Sequence, residues 1–396
     1  MLLAAARVVT AASPHDPVPA AGFVEITDGV LGRVGSGPPP RPADVTLGGG
    51  YLLPGFVDLQ INGYFGVEFQ IGDAGRWAAV ARRLPETGIT SFTPTLITAP
   101  VDGLAATLRA ARAFVPGLPP GGARILGVHV EGPFLAPGRR GAHNPAWLTE
   151  PTPDAVAALI EAGGELLRIL TLAPELPGGL AAIDRLTGAG VLVSVGHSDA
   201  TAGQVAAAAD HGARMVTHLF NAQRPLGHRE PGVVGQALTD ERLTSGLIVD
   251  LHHVAAAVCG LAFRAAPGRI ALVTDAAAPA GMPAGEYLLG GEPVTLPPGD
   301  GVPPVRADGT LAGSALRPDV AVGNAVACGV PLPVAVAAAT RIPADLIGRP
   351  DLGRLAPGAA ADLVWLSADL RTRATWVGGE LVYGAAEDLT GNFPIR

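Results

Sequence analysis

Lysine is absent from the 396-residue sequence: all 27 basic side chains are arginine, and only two cysteines occur, Cys259 and Cys328. Because the two cysteines lie far apart along the chain, they are expected to form neither a disulfide framework nor a cysteine-based zinc site within it. Such low cysteine usage is typical of proteins in the reducing cytoplasm, and we expect this chain to be located there.

Membrane and nucleic-acid-binding proteins are also disfavoured by what the sequence lacks. No uncharged apolar run reaches the length of a membrane-spanning helix. The apolar start has no charged region before it and is interrupted by Arg7, which predicts a first strand rather than a signal peptide. The net charge is −8 and the arginines are scattered, so we expect no nucleic-acid partner.

The residues that are present predict two kinds of structure. Hydrophobic residues make up 48% of the chain, and the 54 glycines and 38 prolines fall between apolar runs, which indicates a folded protein with many turns. Short β-like runs occupy both chain ends, whereas the middle alternates strands with alanine-rich helical segments. We predict a small β-sandwich domain from residues 1–53 and 350–396, and a second domain at 54–349.

The middle of the chain contains eight strand candidates separated by helical segments. Eight such units in about 300 residues predict an α/β fold, a (β/α)8 TIM-like barrel. An open doubly wound sheet is the alternative, but no glycine-rich dinucleotide motif follows the first strand. The candidates are 55–61, 88–94, 124–131, 166–173, 191–197, 214–220, 244–250 and 269–275.

Polar side chains stand where these strands end. The carboxyl ends of barrel strands form one face, and active sites of such barrels are built there from several strands. The residues at or just past the ends are Gln60, Asn62, Thr93, Glu131, Glu175, His197, His218, Asp250, His252, His253 and Asp275.

Three of these residues could bind a metal ion. Glu131, His197 and His218 offer one carboxylate and two imidazoles, a set that suits zinc or another divalent transition metal. Each residue alone could equally be a structural side chain; their shared position favours a site. Asp275 either caps the following turn or acts as a general acid and base beside metal-bound water. His129 lies two residues before Glu131, so it shares that strand face and is expected to support the ligands rather than to be one.

At these residues the sequence resembles the N-acetylglucosamine-6-phosphate deacetylase family of the amidohydrolase superfamily. The resemblance covers about residues 50–365, and its most specific parts are the HLFNA-like and HREPG stretches. The matching stretches are PGFVDLQING (54–63), GVHVEGPFLAPGRRGAHNP (127–145), VSVGHSDA (193–200), THLFNAQRPLGHREPG (217–232), LVTDA (272–276) and LAGSALRPDVAVGN (311–324).

The resemblance implies one metal ion per subunit. Binuclear relatives bind a second metal with two histidines at the end of the first strand, where this chain has Gln60 and Asn62, and amides are poor ligands for transition metals. Binuclear relatives also bridge their metals with a carboxylated lysine, which this chain lacks. Zinc is favoured, with iron, manganese or cobalt as alternatives.

The resemblance also implies roles for individual residues. Glu131, His197 and His218 match the metal ligands, and Asp275 matches the catalytic aspartate. His253 matches a histidine near the scissile carbonyl. Arg229 matches an arginine that reaches the sugar phosphate of the neighbouring subunit, which implies a homodimer. The remaining matches to substrate contacts are Asn221, Ala222, His228 and, less specifically, His143.

The chain departs from the family pattern at three places. The usual Asp-Gly-x-His reads Asp250-Leu251-His252-His253, and because adjacent strand residues face opposite ways, only one histidine can enter the site. We choose His253. Arg317 stands where the family commonly has Thr, and Gly323 stands where it commonly has Arg. Because of these two departures, the resemblance does not fix which sugar is the substrate.

The reaction implied is hydrolysis of the acetamide of N-acetylglucosamine 6-phosphate, giving glucosamine 6-phosphate and acetate. One alternative is an amidohydrolase acting on another N-acetyl amino sugar, such as N-acetylgalactosamine 6-phosphate, or on a non-phosphorylated amide. Another is a catalytically silent barrel that binds sugar phosphates. The intact set of Glu131, His197, His218 and Asp275 argues against a silent barrel.

Overall fold

The computed structural model describes residues 1–13, 20–299 and 301–384, and its largest unit is the predicted (β/α)8 barrel. All neighbouring barrel strands are parallel. Ile61, at the end of the first strand, bridges Ala276, beyond the last, so the two edges of the sheet meet. The barrel strands are Phe56–Ile61, Ile89–Ile97, Arg124–Ile125 with Val128–Glu131, Leu167–Leu172, Leu192–Val195, Met215–Val216, Thr244–Leu247 and Ile270–Leu272.

Helices cover the outside of the barrel, as alternating strands and alanine-rich segments predict. Several begin at a capping side chain: Thr152 accepts from the backbone of Ala155, and Thr201 forms a capping box with Gln204. The α-helices are Ala74–Arg83, Val101–Phe114, Pro153–Gly163, Gly179–Gly188, Ala202–Asp210, Gly232–Thr239, Ala256–Ala265, Pro318–Ala327, Leu332–Ala339 and Arg341–Leu346. Short 3-10 helices are Leu84–Thr87, Val115–Gly117, Pro137–Arg139, Pro145–Trp147 and Gly164–Leu166.

Both chain ends contribute to one eight-stranded sheet, which confirms that they fold together. Tyr51–Pro54 pairs with Leu363–Leu366 and joins the two contributions, while Val30 bridges Ala360 so that the sheet bends round its own apolar core. The strands are Leu2–Val8, Ala20–Thr27, Val30–Ser36, Val45–Leu47, Tyr51–Pro54, Leu363–Leu366, Thr372–Val377 and Glu380–Tyr383. The boundaries at 53/54 and 349/350 stay predictions, and residues 14–19 and 385–396 of the predicted domain lie outside the described part.

Arg317, one of the departures from the family pattern, binds Asp319, a barrel residue that contacts this end sheet. Its guanidinium donates to both carboxylate oxygens of Asp319, at 3.0 and 2.8 Å, and to the backbone carbonyl of Glu86. Asp319 is fully buried and also accepts from the backbone and hydroxyl of Thr372 in the end sheet. The arginine therefore has a structural contact here, remote from the strand-end face.

A β-hairpin of Gly285–Leu289 and Glu292–Leu296 was not among the predicted elements. It lies over the carboxyl ends of the barrel strands, where Leu289 and Val294 pack on Ala277 and Ala312. The backbone N–H of Gly290 donates to Glu68, at 2.6 Å, in the small hairpin of Gly63–Tyr64 and Val67–Glu68. The hairpin thus forms part of the wall above the barrel mouth.

The two cysteines are free thiols, and although they are remote in sequence, helix packing brings them into contact. Burial raises the pKa of the Cys259 thiol to about 12. Across the described ranges, no helix combines the length and apolar character needed to cross a membrane.

Candidate active site at the barrel mouth

Three of the barrel strands end before their predicted site residues, because the chain turns sharply there. His197, His218 and Asp275 have φ of 48°, 24° and 52°, in the left-handed region that non-glycine residues rarely adopt. Each such residue costs on the order of 1–3 kcal/mol, and strain of this kind is concentrated at functional sites. The predicted strands 191–197, 214–220 and 269–275 were therefore too long at their carboxyl ends.

Glu131, His197 and His218 converge although they are remote in sequence. The Nε2 atoms of both histidines lie 3.1 Å from Oε1 of Glu131 and 3.0 Å from each other. All three residues are nearly inaccessible to solvent. Separations of this size suit three ligands of one ion bound at about 2.0–2.2 Å, so the donor set fits a divalent transition metal.

The surroundings of these ligands leave their metal-facing atoms available. Nδ1 of His197 donates to the backbone carbonyl of Arg139 at 2.9 Å, which makes Nε2 the nitrogen that faces Glu131. Burial alone would raise the pKa of Glu131, but hydrogen bonds from His197 and His218 hold that pKa well below its usual range. The carboxylate is therefore ionised and able to bind a cation.

His143 is a further histidine at this cluster. With Glu131 and His197 it forms a group whose ligand atoms all lie within 4.8 Å of one another. Its Nε2 is 3.8 Å from Oε2 of Glu131, whereas His218 approaches both other ligand atoms to about 3 Å, so we favour His218 as the third ligand. Burial, together with the charge of His197, lowers the pKa of His143 to about 3.

Asp275 is held beside this cluster by two amides. Gln60 Nε2 and Asn62 Nδ2 donate to its Oδ1 atom at 3.0 and 2.7 Å, and Gln60 also donates to Glu131 at 3.0 Å. Burial, reinforced by the charge of Glu131, raises the pKa of Asp275 to about 6. A carboxyl group with this pKa can exchange a proton near neutral pH.

His253 faces the same cavity, and His252 is exposed on the other side of the turn. Nδ1 of His253 donates to Oδ2 of Asp250 at 2.6 Å. Leu251, at the position where the family has glycine, adopts φ of 66°, the left-handed conformation that glycine tolerates best. The leucine therefore stands in a backbone conformation that glycine would adopt more readily.

The cavity formed by these residues measures about 230 Å³. Asn221 and Ala222 line it, as the resemblance implies, but His228 and Arg229 lie on an exposed loop outside it. The lining residues are Asn62, Ile97, Glu131, Gly141, Ala142, His143, His197, His218, Asn221, Ala222, Ile248, His253, Asp275, Leu289, Thr310, Leu311 and Gly313.

His129 lies deeper in the barrel than the ligands. It is fully buried, its Nδ1 lies 3.1 Å from the Leu59 carbonyl oxygen and its Nε2 lies 2.8 Å from the Thr171 hydroxyl. Burial lowers its pKa to about 4, so the ring is neutral. It has no hydrogen bond to the three ligand side chains, and any support it gives them acts through the strand that it shares with Glu131.

Two further predicted positions stand apart from the cavity. Glu175, another strand-end carboxylate, accepts from the Ser198 hydroxyl and the Asp199 backbone at 2.7 and 2.6 Å. Gly323, the second departure, lies in the helix Pro318–Ala327 with open space around it. Like Arg317, it is absent from the cavity wall, so neither departure alters the shape of the cavity directly.

Sequence reasoning missed the partner of His253 and the upper wall of the cavity. Asp250 was identified as a strand-end residue and as the first residue of the Asp-Gly-x-His pattern, but not as the partner of His253. Leu289, Thr310 and Leu311 come from the hairpin and the chain after it. The Gly290-Gly291 pair between two β-like runs was the available signal for that hairpin.

Known proteins resemble this chain over most of its length. No protein-family model matches it. The N-acetylglucosamine-6-phosphate deacetylase of Bos taurus is 41% identical, over 86% of this chain and 85% of that protein. The N-acetylgalactosamine-6-phosphate deacetylase of Escherichia coli O157:H7 is 39% identical, over 90% and 94%.

A solved structure also resembles this chain over most of its length. It shows a mutant N-acetyl-D-glucosamine-6-phosphate deacetylase from Mycobacterium smegmatis in complex with N-acetyl-D-glucosamine 6-phosphate, and it aligns with a TM-score of 0.88 at 38% identity, over 96% of this chain and 99% of that one. Identity and coverage at this level establish more than a common fold. The chain belongs to the N-acetylglucosamine-6-phosphate deacetylase family of the amidohydrolase superfamily.

Proposed function

We propose that this chain hydrolyses the acetamide of N-acetylglucosamine 6-phosphate to glucosamine 6-phosphate and acetate. The main support is the convergence of Glu131, His197 and His218 on one point of a cavity that also contains Asp275. The names of the relatives add the substrate class, a phosphorylated N-acetyl amino sugar.

One divalent ion per subunit, with zinc favoured, would be held by Glu131, His197 and His218. Such an ion supplies polarisation of the amide carbonyl and activation of a water nucleophile. Gln60 and Asn62 use their amide N–H groups on Asp275, which supports a site with one ion rather than two.

Asp275 carries the proton transfers in this proposal. Gln60 and Asn62 both donate to Oδ1, whereas Oδ2 accepts no hydrogen bond from the described residues and is free to take a proton. Oδ2 would take the proton of the attacking water and return it to the leaving nitrogen, because an amine departs only when protonated. His253 would donate to the oxygen that develops negative charge. Asn221 and Ala222 line the wall that would orient the sugar.

The phosphate requires a cation that the cavity of one subunit does not provide. No arginine is among the lining residues of the described chain. Arg229 is exposed and makes no hydrogen bond or ion pair within the described residues, so its guanidinium group is available to bind another molecule. A homodimer in which Arg229 binds the phosphate in the neighbouring subunit's site satisfies both observations.

Subunit mixing tests this arrangement. Arg229→Ala is expected to raise KM for the phosphorylated sugar by about 10–100-fold with less effect on kcat, because a bidentate charged contact is lost. The Arg229→Ala chain is then mixed with the inactive Asp275→Asn chain, and the subunits are dissociated and reassembled. Low-KM activity should return, since each mixed dimer has one site in which both Arg229 and Asp275 are intact. Arg229→Lys serves as the charge-retaining control. Failure of the mixture to recover would mean that Arg229 serves its own subunit or none.

Two phosphorylated sugars are candidate substrates, N-acetylglucosamine 6-phosphate and N-acetylgalactosamine 6-phosphate. The 39% identity to an N-acetylgalactosamine-6-phosphate deacetylase favours that epimer as the second substrate to examine. A non-phosphorylated amide lacks the cation partner argued above, and a silent sugar-phosphate-binding barrel would have no use for Asp275. A cytoplasmic location is part of the same proposal, since sugar phosphates are intracellular metabolites.

Acetate release from a small panel separates these functions. We expect turnover of N-acetylglucosamine 6-phosphate by the metal-loaded protein, with slower or comparable turnover of the galacto epimer and none of N-acetylglucosamine without phosphate. Equal turnover of the non-phosphorylated sugar would favour the broader amidohydrolase. Binding of the phosphorylated sugars without acetate release would favour the silent barrel.

A further inference from the structure

Asp250 and His253 form a buried pair at the edge of the cavity. Their side chains are 1% and 6% exposed, and Oδ2 of Asp250 accepts from Nδ1 of His253 at 2.6 Å. Oδ1 of the same carboxylate accepts from the backbone N–H groups of His252 and His253, both at 2.9 Å. Both oxygens of Asp250 are therefore used to fix one side chain and the turn that carries it.

The pairing determines which nitrogen of His253 can act in the cavity. Nδ1 of His253 donates a hydrogen bond to Asp250, so Nε2 is the ring nitrogen left to act in the cavity. Nε2 makes no hydrogen bond with the described residues. For Nε2 to donate as well, the ring must carry two protons and a positive charge. Asp250 provides the matching negative charge, so the pair supplies a charged donor without adding net charge.

The backbone of the turn supports a positioning role. Leu251 adopts φ of 66°, a left-handed conformation that is strained for any residue with a Cβ atom. Asp250 stabilises this strained turn through its two backbone hydrogen bonds. Strain that surrounding contacts maintain beside a cavity is a feature of sites where one side chain must point in a fixed direction.

Asp250 is ionised in this setting. Burial would raise its pKa, but the hydrogen bond and charge of His253 and the backbone N–H groups lower it below the ordinary value. The neighbouring acid Asp275 is engaged with Gln60 and Asn62 instead. The described contacts thus leave Asp250 as the partner of His253.

We propose that Asp250 is the positioning residue of His253: it fixes the ring orientation by binding Nδ1, so that Nε2 is directed at the substrate carbonyl oxygen. This inference rests on the proposed deacetylase function. Asp250 itself touches no reacting atom and acts only through His253.

The Asp250→Asn substitution removes the charge of residue 250 and changes the tautomer of the His253 ring, with little change in side-chain size. The asparagine oxygen can still accept from both backbone N–H groups, but its amide nitrogen would donate to Nδ1 and force the neutral ring with its proton on Nε2. A neutral ring is a weaker donor to developing negative charge. We expect kcat to fall by about 10–100-fold while KM changes by less than about threefold. The matched control is Asp184→Asn, which alters an exposed Asp–His pair with His211 at 2.8 Å and should leave kcat unchanged.

A double-mutant cycle distinguishes this role from a structural one. In a His253→Ala background, adding Asp250→Asn should change kcat by no more than about twofold, because the residue through which Asp250 acts is already gone. Undiminished kcat in Asp250→Asn, or a loss that multiplies with that of His253→Ala, overturns the proposal.

NMR of the wild-type protein labelled with 15N-histidine tests the same inference without a change at position 250. The His253 signals, identified by their loss in His253→Ala, should show a proton on Nδ1, the nitrogen that faces Asp250. A His253 ring without a proton on Nδ1 overturns the proposal even if the enzyme is active. Absence of acetate release with the expected NMR signature would instead count against the deacetylase function alone.

Discussion

Asp275→Asn is expected to lower kcat for acetate release by about 10³–10⁴-fold, the range for loss of a positioned general acid and base. Asparagine can accept from Gln60 and Asn62 as the aspartate does, but it can neither take the proton of the attacking water nor return it to the leaving nitrogen. KM should change little. Steady-state kinetics with N-acetylglucosamine 6-phosphate measure both quantities.

The pH dependence follows from the same carboxyl group. Its pKa is raised to about 6 by burial and by Glu131, and protonation removes the base. Activity should therefore fall as the pH drops. Because a bound cation favours the ionised form, the midpoint of kcat/KM is expected at pH 6 or below. In Asp275→Asn the residual activity should lack this acid limb.

Two controls test whether the loss of activity in Asp275→Asn comes from the missing general acid and base. Metal content should equal that of the wild type, since Asp275 is not one of the three proposed ligands. Asp210→Asn, in which the side chain is 68% exposed and pairs with Arg242, is the matched substitution and should leave kcat unaltered. A kcat for Asp275→Asn within tenfold of the wild type would contradict the assignment.

The position of the site was predictable because parallel strands place their carboxyl ends on one face. Glu131, His197 and His218 were each identified by closing an apolar run, and the barrel then brought their ligand atoms to about 3 Å. Strand lengths were less predictable. Positive φ at His197 and His218 turns the chain out of the strand, and such turns oppose the local preference of non-glycine residues.

Contacts that depend on side-chain geometry could not be predicted from the sequence. The bond from His253 to Asp250 requires a turn in which Leu251 adopts a conformation typical of glycine, and no propensity indicates that. The contact of Asp319 with Thr372 joins two predicted domains whose relative placement the sequence does not encode locally. His228 and Arg229 are exposed and make no hydrogen bond or ion pair within the described residues, so the roles proposed for them rest on the resemblance and on the mixing experiment.

Glu131→Gln is expected to remove the bound metal, from about one ion per chain to less than about 0.1, because a neutral amide is a poor ligand for a transition metal. Acetate release should be lost with it. The folded state should persist, since the isosteric glutamine can still bond to Gln60 and the histidines. Elemental analysis after dialysis against metal-free buffer measures the stoichiometry, and thermal melting checks the fold.

The matched control is Glu175→Gln, which changes another strand-end glutamate whose oxygens accept from Ser198 and Asp199 outside the cavity. It should keep both metal and activity, because the amide oxygen can accept from the Asp199 N–H while the amide nitrogen donates to the Ser198 hydroxyl. The wild type stripped by a chelator should lose activity and regain it with zinc or another divalent ion, whereas Glu131→Gln should not recover at the same concentration. Retention of one ion by Glu131→Gln would show that the ion binds elsewhere, and the assignment of Glu131, His197 and His218 as ligands would then be wrong.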